Sequence, residues 1–333
     1  MTEPLQKTIE ALLGAKRVAV FAHINPDGDT LGCVLALCHS LWTLGIEATP
    51  FAADGVPAIL REMPGEDRVQ QNTERRDFDL AVVCDAGALE RVGTSLLPVV
   101  HSAPLLIDID HHVVIGSTFG DIQLLDAKAA ATAELIWQVV AALSEATGRE
   151  LASREIAQCL MIGLVTDTGS FGYPNVRPET LRLAATLQEL GAPIAPIVEQ
   201  IYATHSYANQ KLLGTALHTL QRSKDGQVAW ATLSVSDFET VGATDEDSEG
   251  IVNRVLGIQG VRIGILFREI AGKKIRVSLR GRGSVSVNEV AAKFGGGGHH
   301  LAAGCSIEPP LDEAVQALVA EAERHLLEKA VSL

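Results

Sequence analysis

The chain has 333 residues and a net charge of −14, with 47% hydrophobic and 20% charged residues. That length exceeds what one hydrophobic core organises comfortably, so two domains are expected, and the surplus of acid disfavours binding long duplex nucleic acid through its phosphates. No apolar stretch reaches the roughly 18 residues of a membrane span, and residues 1–7 hold no basic segment leading into an apolar one, so a cytoplasmic protein is expected.

The first half alternates short apolar runs with helical patterns. Strands are expected at 17–24, 48–52, 80–84 and 105–109, and helices at about 5–13, 30–44, 129–145, 153–165 and 178–190. Continuous apolar strands separated by helices predict an α/β fold with a mainly parallel sheet covered on both faces. Residues 191–196, with two prolines, break the pattern and open a connection. A helix over about 206–222 follows. From Gln227 the texture changes to a second, smaller sheet with strands at 228–235, 261–270 and 274–279. Helices are expected there at 247–257, 287–294 and 311–329. The divisions read as 1–190, a linker at 191–210, and 211–333. Cys33, Cys38, Cys84, Cys159 and Cys305 form no CxxC pair and read as reduced core residues.

Polar clusters follow the apolar runs. His23, Asp27 and Asp29 lie within seven residues at a strand-to-helix turn, punctuated by Pro26 and Gly28. They converge on a metal, or Asp29 or Thr30 caps the helix and Asp27 is solvated. Asp85 follows the run 80–84; alone it reads equally as a cap. Asp108, Asp110, His111 and His112 close the fourth strand, where open α/β sheets place their chemistry. One division makes His111 a metal ligand and His112 a neighbour facing substrate, since adjacent side chains leave a strand in different directions; the alternative is a pair of exposed turn histidines. Asp167 ends an apolar helix, where a carboxylate opposes the macrodipole unless a cation is near. His23, Asp27, Asp29, Asp85, His111 and Asp167 together suit two divalent ions, Mn²⁺ or Mg²⁺ rather than Zn²⁺, because oxygen ligands dominate. Downstream, Arg280 and Arg282 suit bidentate phosphate contacts. The glycines Gly295, Gly296, Gly297 and Gly298 allow close backbone approach to anionic oxygens, and His299 adds a donor. A plain glycine hinge with surface arginines is the alternative.

The triplet Asp110-His111-His112 resembles the signature of the DHH phosphoesterase superfamily. Gly296-Gly297-Gly298-His299 resembles the GGGH signature of its DHHA1 domain. At this length the combination is similar to the bacterial oligoribonuclease/pAp phosphatase (nanoRNase) subfamily, and the resemblance covers nearly the whole chain. It implies a DHH domain joined to a smaller α/β DHHA1 domain, with the active site in the cleft between them and a hinge near 191–205. It implies two Mn²⁺ ions, with Mg²⁺ as the alternative, on the six residues above. His112 would be the proton donor to the leaving oxygen, and Asp110 would orient a ligating imidazole. Arg280, Arg282, Gly296, Gly297, Gly298 and His299 would bind substrate. The implied reaction is metal-assisted hydrolysis of short RNA or DNA oligonucleotides, about two to five residues long, and of 3′,5′-bisphosphates such as pAp. Phosphodiester cleavage of cyclic dinucleotides or pApA stays open beside it, as does a non-catalytic nucleotide sensor. A homodimer is also open. One departure is Ser170-Phe171-Gly172-Tyr173, where relatives often carry an Arg or a larger polar residue.

Overall fold

The computed structural model describes residues 2–113, 118–272, 274–298, 300–308 and 310–331. The chain forms two compact units, Met1–Thr204 and His205–Leu333.

The first unit runs α1 (Glu3–Gly14), β1 (Arg17–Phe21), α2 (Gly28–Leu44), β2 (Glu47–Phe51), β3 (Leu80–Cys84), α3 (Leu97–Val100), β4 (Leu106–Asp110), β5 (Ile122–Leu125), α4 (Thr132–Thr147), α5 (Arg154–Asp167), α6 (Pro178–Glu189) and α7 (Ile194–Val198). Its sheet has the order β2-β1-β3-β4-β5, and every pair is parallel. Strand alternation sorts the side chains. Val18, Val20, Leu80, Val82, Ile107 and Ile109 enter the core shared with α2, α4 and α5. Ala19, Phe21, Ala81 and Val83 face a second core with Phe51, Phe78, Leu96 and Val99. By the same period of two, Asp108 and Asp110 point to this second side. The strand order reverses at β1, which has β2 on one flank and β3 on the other. Open α/β sheets place their ligands at such a reversal, here outside the carboxyl ends of β1 and β3.

Helices α2 and α5 pack closely because two glycines let them. A Cβ at Gly32 would sit 2.3 Å from the Cys159 carbonyl oxygen, and one at Gly163 would sit 2.5 Å from Asp29 Oδ1. Any larger residue would force apart the two helices that carry Asp29 and Asp167.

The second unit runs α8 (Tyr207–His218), β6 (Gln221–Arg222), β7 (Val228–Leu233), α9 (Val235–Val241), α10 (Ile251–Leu256), β8 (Ile263–Arg268), β9 (Ile275–Gly281), α11 (Val287–Ala292), β10 (Gly297–Gly298), β11 (Ala302–Ile307) and α12 (Leu311–Val331). Its sheet has the order β10-β11-β9-β8-β7-β6, and only β7–β8 is parallel among the described pairs. Helices α11 and α12 cover one face, and α8, α9 and α10 cover the β7–β8 side of the other.

Several boundaries differ from expectation. The first strand stops at Phe21, which leaves His23 in the loop. The second sheet has six strands against five, so it is not the smaller sheet, although its unit is shorter. The helix expected from 247 starts at Ile251, because Gly250 takes φ 78 and Asp247 belongs to a separate 3-10 turn. Strands β5 and β11 and helix α9 were not anticipated. Where the sequence suggests a connection from 191, α7 packs on the first unit through Ile197, and Gln200 Nε2 donates to the Ile59 carbonyl. Among the described residues no helix is long and apolar enough to cross a membrane.

Candidate metal centre

The loop after β1 places His23 and Asp27. Asp27 is the N-cap of α2: its Oδ1 accepts from the Asp29 and Thr30 amides at 3.0 and 3.1 Å. The cap is thus Asp27, not Asp29 or Thr30, and it occupies only one oxygen. Asp27 Oδ2 lies 3.9 Å from His23 Nε2. His23 is buried, and its Nδ1 lies 2.8 Å from its neighbour's carbonyl at Ile24. That bond places the proton on Nδ1 and turns the Nε2 lone pair toward Asp27 and Asp85.

Asp85 sits at the end of β3 with φ 60. Left-handed backbone is costly for most residues and tolerated by Asp. Here it breaks the strand alternation and redirects a fully buried carboxylate. Asp85 Oδ2 lies 3.8 Å from His23 Nε2, and Oδ1 lies 3.6 Å from His111 Nε2. Asp85 therefore stands between the two imidazoles. His111 is oriented as His23 is, with Nδ1 3.1 Å from the Ala129 carbonyl and Nε2 3.1 Å from Asp167 Oδ2. From the first turn of α2, the Asp29 carboxylate reaches the start of α4, where its two oxygens accept from the Thr132 and Ala133 amides at 2.6 and 3.0 Å. The potential ligand atoms fall into two sets, His23/Asp27/Asp85 and Asp29/His111/Asp167, each within 4.8 Å of one another. A third such set, Asp85/His111/His112, overlaps both.

The donors fit hard or borderline divalent cations. They are two imidazoles and four carboxylates, and among the described residues no cysteine joins these sets. The carboxylates also need positive charge. Burial, reinforced by neighbouring carboxylates, pushes Asp29 and Asp85 well above the ordinary range. Burial also raises Asp167 despite its bond to His111. Burial pulls His111 down, but Asp167 and Asp29 outweigh it and hold the imidazole at about 9. Burial lowers His23, against the pull of Asp27. Cations would replace the protons these groups retain.

A stability prediction follows, with its sign fixed by these directions. A carboxyl or imidazole raised by folding contributes stability that is complete below its unfolded pKa and lost as pH rises through the folded one. Asp29, Asp85, Asp167 and His111 act this way. So does Asp108, pushed to about 8 by burial and Asp110. His23 acts oppositely, one group against five. The cation-free protein should therefore melt at lower temperature at roughly pH 8 than at pH 5. Millimolar Mn²⁺ or Mg²⁺ should raise Tm, and more so at pH 8. Calorimetry checks this; a cation-free Tm that climbs across the range would contradict it.

His112 leaves β4 on the other side. Its Nδ1 lies 2.6 Å from Asp110 Oδ1, and that oxygen also accepts from the His112 amide at 2.9 Å. Asp110 Oδ2 accepts from the Gly87 amide at 2.6 Å. Burial raises Asp110, but the His112 hydrogen bonds outweigh it and hold the carboxyl below its usual range. The expectation that Asp110 orients a ligating imidazole is thus corrected. Alternation puts Asp110 and His112 on one side of β4 and His111 on the other, so backbone carbonyls orient His23 and His111, and Asp110 orients His112.

Thr132 escaped sequence reasoning. Its hydroxyl donates to Asp85 Oδ1 at 2.8 Å and accepts from the His111 amide at 3.2 Å, while its own amide binds Asp29. After three alanines it reads only as a helix start, and no sequence signal marks the contacts.

The expected substrate residues lie in the second unit. Arg280 is half-buried on β9, opposite Ala302 of β11, and its Nη1 donates to the Leu279 carbonyl. Arg282 lies beyond β9 and donates to the Leu256 carbonyl at 3.1 Å. Gly297 and Gly298 pair with β11. A Cβ at Gly296 would meet the Gly304 carbonyl oxygen at 2.2 Å, and one at Gly298 the Ala302 carbonyl oxygen at 2.5 Å. Two of these glycines are therefore explained by close approach to their own sheet, whereas a Cβ at Gly297 would come no nearer than 3.9 Å to Asn288 Oδ1 and one at Gly295 would stand in open space. His299 lies outside the described residues.

Both units of the chain resemble known proteins. Residues 17–164 match the DHH family, N-terminal domain, and residues 227–328 match the DHHA1 domain. The bifunctional oligoribonuclease and PAP phosphatase NrnA of Thermus thermophilus is 33% identical over 315 residues, covering 94% of this chain and 91% of that protein. The protein of the same name from Bacillus subtilis is 29% identical, covering 87% and 89%. Among solved structures, an exopolyphosphatase-related protein from Bacteroides fragilis superposes with a TM-score of 0.91 at 26% identity, covering 99% of this chain and 100% of that one. Manganese-bound exonuclease RecJ shares the fold, with a TM-score of 0.54 at 17% identity over 97% and 93%. With both domains matched in order and a 33% identical relative aligned along most of its length, the chain belongs to the DHH phosphoesterase family, in the branch that carries a DHHA1 domain.

Proposed function

We propose that this protein is a phosphoesterase dependent on two divalent cations, Mn²⁺ in the first instance and Mg²⁺ as the alternative. Its substrates would be short oligonucleotides of about two to five residues and 3′,5′-bisphosphate nucleotides such as pAp. One observation carries the reading: two ligand sets that meet at Asp85 lie beside an imidazole held by Asp110. The names of the Thermus and Bacillus relatives supply the substrate class. We place the activity in the cytoplasm.

His23, Asp27 and Asp85 would hold one ion, and Asp29, His111 and Asp167 the other, with Asp85 near both. Bound there, the ions would supply Lewis-acid charge that stabilises the phosphoryl transition state and lowers the pKa of water. The chain's own groups do the rest. The Ile24 and Ala129 carbonyls fix the His23 and His111 rings. Asp110 fixes His112 through Nδ1, so that Nε2 is the nitrogen that hands a proton to the leaving oxygen. Arg280, Arg282, the glycines at 296–298 and His299 would grip a terminal phosphate and so favour short substrates.

The test is a hydrolysis panel of pAp, pApA, a five-residue RNA, cyclic di-AMP, pyrophosphate and long single-stranded DNA, run with Mn²⁺. Turnover of pAp and the short RNAs, with little on pyrophosphate and long DNA, is expected. Faster cutting of cyclic di-AMP than of pApA would instead make the protein a cyclic dinucleotide phosphodiesterase.

A further inference from the structure

Directly after Asp167 the backbone does something costly. Gly169, Ser170 and Phe171 take φ 53, 56 and 64, three left-handed residues in succession. Only the first is a glycine, and a bulky residue such as Phe rarely adopts this conformation. The surroundings hold the turn in place. Thr168 Oγ1 accepts from the Phe171 amide at 2.9 Å, and the Thr168 carbonyl accepts from the Gly172 and Tyr173 amides, each at 2.9 Å. Phe171 packs on the first core. Asn175 Nδ2 ties the far end to the carbonyls of Asp167 and Ala130, at 3.0 and 2.9 Å. The turn is thus fastened both to the helix that ends in Asp167 and to the segment leading into Thr132.

What the turn presents is Tyr173. Its ring lies over Gly169, where a Cβ would come within 2.5 Å of it, and yet 57% of the residue is exposed. A tyrosine that served packing would bury its ring. This one is held out by a rigid, strained turn a few residues from a metal ligand, and strain of this kind persists where function uses it. Tyr202 lies nearby, half-exposed, with its hydroxyl donating to the Val165 carbonyl at 3.2 Å. Burial, reinforced by Tyr173, Asp167 and Asp27, pushes the Tyr202 hydroxyl up to about 12.

We propose that Tyr173 is the platform on which a nucleobase next to the scissile phosphate stacks, a specificity contact made by the first unit itself. Every base has a face that stacks on an aromatic ring, so the contact favours nucleotides over simple phosphate esters without selecting among bases. The proposal rests on the phosphoesterase reading and deepens it.

The test compares wild type, Tyr173→Ala and Tyr173→Phe on pApA and on the same molecule with abasic riboses, by steady-state kinetics and by equilibrium binding. Tyr173→Ala should raise KM and Kd for pApA by roughly 5- to 150-fold, the effect of one base–aromatic stack. Its kcat should stay within about twofold, and its affinity for the abasic molecule should be unchanged. Tyr173→Phe should behave as wild type, since the ring and not the hydroxyl makes the contact. Unaltered pApA affinity in Tyr173→Ala, or an equal loss on both ligands, overturns the platform. A wild type that binds pApA but cleaves nothing contradicts the phosphoesterase reading alone, because the binding comparison still decides the role of Tyr173. A wild type that binds neither ligand overturns both.

Discussion

Asp85→Asn should leave a folded protein whose kcat on pAp and short RNA falls by at least about 10³-fold, more than the 10- to 100-fold typical of losing an outer partner of a ligand. The reason is position. Asp85 is the carboxylate that faces both His23 and His111, at 3.8 and 3.6 Å, so neutralising it weakens both ligand sets at once. Asn keeps the shape and still accepts from Thr132 Oγ1, which separates the chemical loss from a packing defect. The substitution also removes a carboxyl whose ionisation burial and the neighbouring carboxylates oppose. Cation-free Asp85→Asn should therefore melt no lower than wild type near neutral pH, while the rise in Tm on adding Mn²⁺ disappears. Retention of more than a tenth of wild-type kcat would remove Asp85 from the centre of the site.

His112→Ala should lower kcat by roughly 10²- to 10⁴-fold, the range for loss of a general acid, while cation binding stays intact. Asp110→Asn should cost less, about 10- to 100-fold, because the imidazole remains but its partner loses its charge, and one of the two oxygens that serve His112 and the Gly87 amide becomes a donor. The pairing matters because His112 also falls in a potential ligand set with Asp85 and His111, its Nδ1 lying 3.4 Å from Asp85 Oδ1. The 2.6 Å bond from that same nitrogen to Asp110 argues that it carries a proton and is not a ligand. If His112→Ala loses a cation and kcat together, the residue is a ligand after all. Direct cation titration of the variant separates the two outcomes.

Much of this site was legible in the sequence, for a physical reason. Parallel strands buried on both faces read as unbroken apolar runs, and a polar cluster at the end of such a run has little structural motive. His23, Asp85 and His111 all stand out in this way. Asp167 stands out because a carboxylate at a helix end works against the macrodipole. What stayed hidden depends on tertiary geometry. The role of Asp110 turned on which side of β4 each residue leaves, and that needs the register. Thr132 is a hub only because α4 starts beside the start of α2 and the end of β3. The glycine run looked like a ligand cradle, but at Gly296 and Gly298 the close neighbour is β11, a strand whose small residues Ala302, Ala303 and Gly304 gave no apolar run to detect. The left-handed backbone at Ser170 and Phe171 has no sequence mark either, and Tyr173 acquires its meaning from that turn.

The most direct test of the two-cation phosphoesterase account is release of orthophosphate from pAp by the purified full chain, followed during titration with Mn²⁺ after chelation. The account predicts no release without cation, activity that saturates as two ions bind per chain, and loss of activity when chelator is restored. Phosphate release that persists undiminished under chelator, or no release at any Mn²⁺ or Mg²⁺ concentration, would contradict it.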